Sequence, residues 1–447
     1  MTHPHTPGTA LLTDRYELTM LQAALAGGTA GRRSVFEVFT RRLPPGRRYG
    51  VLAGTGRVLE SLERFRFDAA ELDWLADQRV VDDATLAFLS DYRFTGSMVG
   101  YAEGEVFFPS SPVLVVEGTF AEAVLLETLV LSILNYDSAV ASAASRMTSA
   151  AVDRPCLEMG ARRAHEEAAV AAARAAVVAG FAGTSNLEAG RRYGLDTIGT
   201  AAHAFTLLHD DELAAFRSQV ASLGPATTLL VDTFDVRRGV ENALAAAGPE
   251  LGAVRLDSGD LGVLAHEVRA QLDDAGATRT RITVTSDLDE YAIAALAVAP
   301  VDSYGVGTSV VTGSGAPTCG MVYKLVAREG ADGVLAPVSK AARGKTSVGG
   351  RKAAARRLGP DGRAVEEVLV AGGDDDVRSW TSTDPTLRPL HAPLVTDGVV
   401  SSGWTGADGV RRAADRHRAS RDELPRGARR LSADEAAVPT VTLRLGD

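Results

Sequence analysis

Seven times between Glu158 and Thr308 an apolar, β-branched run stops at a short cluster of polar, acidic or glycine residues, and a helix-like stretch usually follows. The clusters begin at Glu158, Phe181, Gly199, Asp232, Arg255, Ser286 and Tyr304. Strands alternating with helices build a parallel sheet. About seven such units in a row predict an α/β fold with an irregular β/α barrel. The chemistry of such a barrel gathers at the carboxyl ends of its strands. The residues able to do chemistry fall at those ends, which points to an enzyme.

The flanking regions read differently. Residues 1–125 form a first α/β region: Asp14 and Glu17 have capping-box spacing ahead of an apolar helix through Met20, Leu21 and Leu25. The barrel is expected over 126–320. Residues 321–447, with strand-like runs at 321–328 and 363–370, return to the N-terminal region and end in a polar tail. The second domain is therefore expected to be discontinuous. With 447 residues the chain has length for both cores.

Charge and cysteine usage remove several function classes. A net charge of −10 disfavours nucleic acid as a partner. No apolar run is long enough to span a membrane, and the N-terminus shows no secretory signal, so a cytoplasmic location is expected. Cys156 and Cys319 have neither disulfide-framework nor metal spacing and read as core residues. Of 47 basic residues only Lys324, Lys340, Lys345 and Lys352 are lysines, all in one window. They mark either a solvated loop or places where a compact ammonium cannot be exchanged for a guanidinium, such as phosphate contacts. No lysine lies on the preceding strands, which excludes Schiff-base chemistry built on them.

Three strand ends carry most of the chemical signal. In Arg255-Leu-Asp257-Ser-Gly259-Asp260, Gly259 frees the turn. The two carboxylates suit sugar hydroxyls or hydrated magnesium, and the guanidinium suits a phosphate oxygen pair. Alternatively, Ser258 and Asp260 simply cap the next helix. Gly305-Val-Gly307-Thr308 is a phosphate-cradle candidate but lacks the third glycine of the dinucleotide fingerprint. Asp232 with Asp235, and Asp287 with Asp289, add carboxylates at two more ends, some of them caps. His203, at a strand end near Thr200, is a candidate proton carrier or phosphoryl acceptor. No pair of metal-ligating histidines is visible.

In this order the clusters resemble the nicotinate phosphoribosyltransferases, the type II pyridine-salvage enzymes. The likeness begins at Leu11-Leu-Thr-Asp-Arg-Tyr16-Glu-Leu-Thr-Met20. It runs through Glu158-Met-Gly-Ala-Arg162-Arg163, Gly180-Phe-Ala-Gly-Thr184-Ser185-Asn186, the Gly199 to His203 run, Val231 to Asp235 and the Arg255 cluster. It ends with 304–308, Val322-Tyr-Lys324-Leu and the lysine loop. The resemblance implies that nicotinate attacks C1 of 5-phosphoribosyl-1-pyrophosphate, giving nicotinate mononucleotide and pyrophosphate in NAD salvage. It further implies magnesium, ATP hydrolysis through a phosphorylated His203, and a homodimer in which Tyr16 stacks on the pyridine ring across the interface. Arg255, Asp257 and Asp260 would face the ribose diphosphate, with Asp232, Asp287 and Gly259 beside them. The 5′-phosphate falls to Gly305, Gly307 and Thr308. Arg162 or Arg163, with Thr184 and Ser185, would meet the nicotinate. Lys324, Lys340 and Lys345 would contact ATP or pyrophosphate. Met159 stands where related enzymes often carry an aromatic. Ser185 favours the acid over the amide, because an aspartate there would repel a carboxylate. A nicotinamide or quinolinate phosphoribosyltransferase and an inactive nucleotide-binding homologue are the competing readings.

Overall fold

The computed structural model describes residues 8–340 and 348–445, so Lys345 lies outside the described residues. The chain divides into two units, one of residues 1–142 and 318–447, the other of residues 143–317.

In the second unit, apolar runs too short for helices form parallel strands at Cys156–Glu158, Gly183–Thr184, Thr228–Leu230, Ala253–Leu256, Arg281–Val284 and Ser303–Val306. Their spatial order is 183–184, 156–158, 303–306, 281–284, 253–256, 228–230. Thr197 adds a seventh piece through a parallel bridge to Thr184. All seven sequence clusters thus sit on a strand or directly after one. No backbone pairing joins the Thr197 piece to 228–230 among the described residues, so the ladder is an open parallel sheet. Leu229, Val254, Leu256, Ile282, Val284, Tyr304 and Val306 are buried in this sheet. Buried on both faces, parallel strands lose the alternation of a half-exposed strand and read as unbroken apolar runs.

Helices Glu166–Val178, Val236–Ala247, Leu261–Asp274 and Glu290–Ala295 follow four of the strands. Aspartates start three of them. Asp235 accepts from the Arg238 amide, Asp260 from Val263, and Asp289 from Tyr291 and Ala292. Each satisfies backbone donors that the first helical turn leaves open.

The first unit is built on a seven-stranded antiparallel sheet. Its order is Leu335–Pro337, Met321–Glu329, Arg33–Thr40, Leu114–Thr119, Ser97–Tyr101, His391–Thr396, Val399–Val400. Three N-terminal strands form its centre and C-terminal strands flank them on both sides, which makes the unit discontinuous. A four-stranded sheet follows, ordered Leu387–Pro389, Lys352–Leu358, Ala364–Ala371, Thr440–Arg444. Helix Arg15–Ala26 forms as the apolar spacing predicts, with Leu18 and Leu21 buried, but its expected capping box is absent. Asp14 makes no side-chain cap bond. Glu17 instead turns inward, accepting from the Thr128 amide at 2.9 Å and from the Thr13 and Thr128 hydroxyls. The lost cap is offset by bonds to the start of helix Glu127–Ala151. Residues 120–151 form two helices, Phe120–Val124 and Glu127–Ala151.

Candidate active site

The strand ends of the parallel sheet converge on one pocket of about 200 Å3. Its lining includes Met159, Arg162, Arg163, Arg255, Asp257, Asp287, Gly305, Gly307 and Thr308. Each lies in the last residues of a strand or shortly after it, where the backbone leaves the sheet and polar side chains regain water.

Asp232 and Asp257 organise the centre. Asp232 is almost wholly buried, and its Oδ2 accepts from the Asp257 amide at 2.9 Å and from Ser258 Oγ at 2.7 Å. Its Oδ1 has no hydrogen-bond partner and lies 4.0 Å from His203 Nε2. Asp257 Oδ1 accepts from the Thr285 hydroxyl and from Arg255 Nη2 at 3.3 Å. Its Oδ2 stands 3.9 Å from His203 Nε2. His203 opens the short helix His203–Leu207, and its Nδ1 pairs with Thr233 Oγ1 at 3.2 Å. Two carboxylates on one ring nitrogen favour the tautomer protonated at Nε2, which leaves the lone pair on Nδ1.

Arg255 departs from its expected role. Its Nε donates to Thr285 at 3.0 Å, its Nη1 to Thr200 at 2.9 Å and to the Ala201 carbonyl at 3.3 Å, and its Nη2 to Asp257. A phosphate oxygen pair needs two parallel N–H groups. Only one remains, so Arg255 braces Asp257 and the loop before His203. Asp260 is likewise taken up by its helix cap and is exposed. Gly259 supplies the turn at φ 82°, where a Cβ would meet Leu264 Cδ1 at 2.8 Å. Thr184 is fully buried, and its hydroxyl donates to Glu158 at 2.5 Å, which removes it from the substrate contacts. Ser185 is half-buried, with its amide on the Glu158 carbonyl at 2.8 Å.

The remaining candidates at the rim are open. Arg162 and Arg163 sit exposed on the short Ala161–Arg163 helix and pair with no carboxylate among the described residues. Asp287 and its neighbour Ser286 hold positive φ values of 29° and 98°. Side chains other than glycine reach such angles at a cost of about 1–3 kcal/mol each, typically where a site demands it. Gly305 is backbone-tight: a Cβ there would meet Thr285 Cγ2 at 2.4 Å and Met159 Sδ at 2.8 Å. Met159 therefore packs on the glycine turn. Thr285, which carries both Arg255 and Asp257, was not singled out by sequence. Its only signal was a hydroxyl inside an otherwise apolar run.

Tyr16, Lys324 and Lys340 belong to the first unit. Tyr16 is 44% exposed, and burial, then the Glu127 and Glu17 carboxylates, pushes its phenol up to about 12. Lys324 reaches Glu127 at 3.8 Å, and Lys340 is exposed. Lys352, the fourth lysine, is buried on Glu37 at 2.8 Å, a compact pairing a guanidinium would not fit. Both cysteines are buried, and burial raises each thiol to about 12, consistent with inert core residues. Among the described residues no helix is long and apolar enough to cross a membrane, and no group of three or more His, Cys, Asp or Glu is placed to hold a metal ion.

Comparison with known proteins agrees with this layout. Residues 11–135 match the model of the nicotinate phosphoribosyltransferase N-terminal domain. The chain is 57% identical over 443 residues to the nicotinate phosphoribosyltransferase pncB1 of Mycobacterium tuberculosis, covering 97% of this chain and 95% of the relative. It is 38% identical to a nicotinate phosphoribosyltransferase of Bacillus subtilis, over 86% of this chain and 79% of that one. Among solved structures, human nicotinic acid phosphoribosyltransferase superposes with a TM-score of 0.80 at 27% identity, covering 96% of this chain and 97% of that chain.

Proposed function

The chain belongs to the nicotinate phosphoribosyltransferase family, and on that premise we propose that it joins nicotinate to 5-phosphoribosyl-1-pyrophosphate with ATP hydrolysis in cis. The observation that carries the reading is the convergence of Arg162, Asp257, Asp287 and the 305–308 turn on one pocket. The nicotinate ring nitrogen supplies the electron pair for the new bond to C1, and the C1–O bond breaks with its pair leaving on pyrophosphate. Positive charge grows on the ribose at the transition state. Asp257 Oδ2 and Asp287 are the carboxylates free to hold ribose hydroxyls near it. Gly307 and Thr308 open the short Thr308–Val311 helix with no side-chain cap, so their backbone amides suit the 5′-phosphate.

Arg162 and Arg163, unpaired at the rim, suit the carboxylate of nicotinate and the departing anion. Ser185 can donate to that carboxylate, whereas an aspartate would repel it. His203 is the candidate phosphoryl acceptor. Its Nδ1 lone pair would attack the terminal phosphorus of ATP, ADP would leave with the bridging oxygen, and water would later return the phosphoryl group as phosphate. Magnesium binds well through one or two carboxylates together with substrate phosphates, without a protein cage. The half-buried Asp257 and the exposed Asp287 fit that mode. Bound there, the ion would neutralise pyrophosphate charge as it leaves. A homodimer with Tyr16 stacked on the pyridine ring, and a cytoplasmic location, complete the proposal.

Pyrophosphate release is measured with nicotinate or nicotinamide, with and without ATP. Turnover of nicotinate over nicotinamide, with ADP formed in step, is expected. Preference for the amide would overturn the substrate assignment, and ADP-free turnover unaffected by ATP would overturn the role of His203. Ser185→Asp is expected to move the acid-to-amide preference about ten-fold toward the amide, worth about 1.4 kcal/mol.

A further inference from the structure

Glu158 is the buried acid that the reaction scheme leaves unused. It ends the Cys156–Glu158 strand with no exposed surface. One carboxylate oxygen accepts from the Gly160 amide and the other from the Thr184 hydroxyl, each at 2.5 Å. Thr184 Oγ1 in turn accepts from the Asn186 amide at 3.0 Å, so its proton is aimed at Glu158. With a donor on each oxygen, the carboxylate is best satisfied in its ionised form. No cation pairs with it among the described residues, and burial rather than a neighbouring charge pushes its pKa up. An ionised group in such surroundings is costly. Gly160 itself is wedged: a Cβ there would meet Val311 Cγ1 at 2.2 Å and the Gly307 carbonyl at 2.8 Å.

We propose that Glu158 is a positioning residue for nicotinate: its carboxylate locks the 160–163 turn, which carries Arg162, to the 184–186 strand end, which carries Ser185. The proposal rests on the reading of Arg162 and Ser185 as partners of the nicotinate carboxylate. Two loops from different strands must keep a fixed spacing to grip a rigid ring acid, and a loss of about 1 Å in such spacing weakens binding sharply. The 305–308 turn adjoins this strand end through backbone, the Met159 amide donating to the Val306 carbonyl at 2.8 Å, and not through the Glu158 carboxylate, so the effect falls mainly on one substrate.

Steady-state kinetics of the full chain test this with Glu158→Ala, Glu158→Gln, Thr184→Val and Arg162→Ala. Glu158→Ala is expected to raise KM for nicotinate about ten-fold while KM for the phosphoribosyl substrate stays within about two-fold. Glu158→Gln keeps an acceptor for Gly160 but presents N–H to Thr184, and should cost about three-fold. Adding Thr184→Val to Glu158→Gln should then cost less than Thr184→Val alone, because the shared contact is already broken and only the Asn186 amide bond remains to be lost. Equal rises in both KM values, or a lowered Tm with unchanged KM, would overturn the proposal. Should Glu158→Ala fail to fold, additive losses in the Glu158→Gln and Thr184→Val pair would overturn it as well. If Arg162→Ala raises KM for nicotinate and the Glu158 variants do not, positioning by Glu158 fails alone. If Arg162→Ala is also silent, the assignment of the carboxylate partners falls with it.

Discussion

Two dense clusters of charge occupy this molecule, and they are built on opposite plans. In the first unit the guanidinium of Arg356 is fully buried between Glu105 at 2.7 Å, Glu367 at 3.0 Å and Glu423 at 3.3 Å. Arg388 closes the ring on Glu105 and Glu423, and Tyr101 and Ser111 donate to Glu367. At the pocket of the second unit, Asp232 keeps an unpartnered oxygen, Arg162 and Arg163 stand open, and Ser286 and Asp287 hold a strained backbone. In the first cluster each of the three carboxylates is paired with an arginine, although Arg388 Nε has no hydrogen-bond partner among the described residues. The second leaves donors and acceptors without partners among the described residues, beside a strained backbone. Charge density alone therefore marks neither structure nor function; incomplete pairing distinguishes them.

The largest test of that contrast is Arg356→Met, which leaves Glu105 and Glu367 without their shared cation. A loss of about 3–5 kcal/mol in urea unfolding is expected; a loss below about 1 kcal/mol would mean the cluster is not what holds its sheets. Asp257→Asn probes the other side. Its kcat/KM should fall about a hundred-fold, about 2.7 kcal/mol, with stability changed by less than about 1 kcal/mol. A variant that unfolds without losing specific activity would erase the distinction.

Acid titration sharpens the comparison within the first unit. Burial pushes Glu105 upward, but Arg356, Arg388 and Arg416 together hold it down to about 2. Glu17 has no such cation, and burial drives it up to about 7 despite its bonds to Thr128 and Thr13. The signs are opposite. Glu105, depressed when folded, contributes stability that is lost as pH falls from about 4.5 toward 2. Glu17, raised when folded, holds its proton while the unfolded chain releases it, so stability falls as pH rises from about 4.5 to 7. Glu17→Gln should remove that upper slope and add about 2 kcal/mol at pH 8, the loss of one acceptor for its hydroxyl donors offsetting part of the gain. Melting curves at pH 5 and pH 8 decide it: an unchanged slope would show that Glu17 ionises freely.

The smallest effect is expected from Ser286→Gly. At φ 98° a glycine relieves strain, and about 1 kcal/mol of added stability should accompany a weaker grip on substrate. Higher stability with unchanged KM would show that the strain serves nothing at the pocket.

Much of this was legible before any coordinates. The alternation of apolar runs with capping residues is local chemistry, so all seven strand positions followed from the sequence. Lys352 and Glu17 were not legible in the same way. Each resolves its charge against a residue hundreds or scores of positions away, Glu37 and Thr128 respectively. The missing capping box at Asp14 is the same lesson, since a tertiary bond outbid a local one.

The sequence by itself determined the order of strands and helices and the placing of polar residues at the strand ends. It did not determine which acid does what. Asp232, Asp257 and Asp287 come first after their strands and meet the pocket or its braces, while Asp235, Asp260 and Asp289, two or three residues on, cap the helices. Both positions call for a short polar side chain. Only the folded backbone, by fixing where the strand ends and where the first helical amides open, assigns one carboxylate to the strand-end pocket or its braces and the other to the cap of its helix.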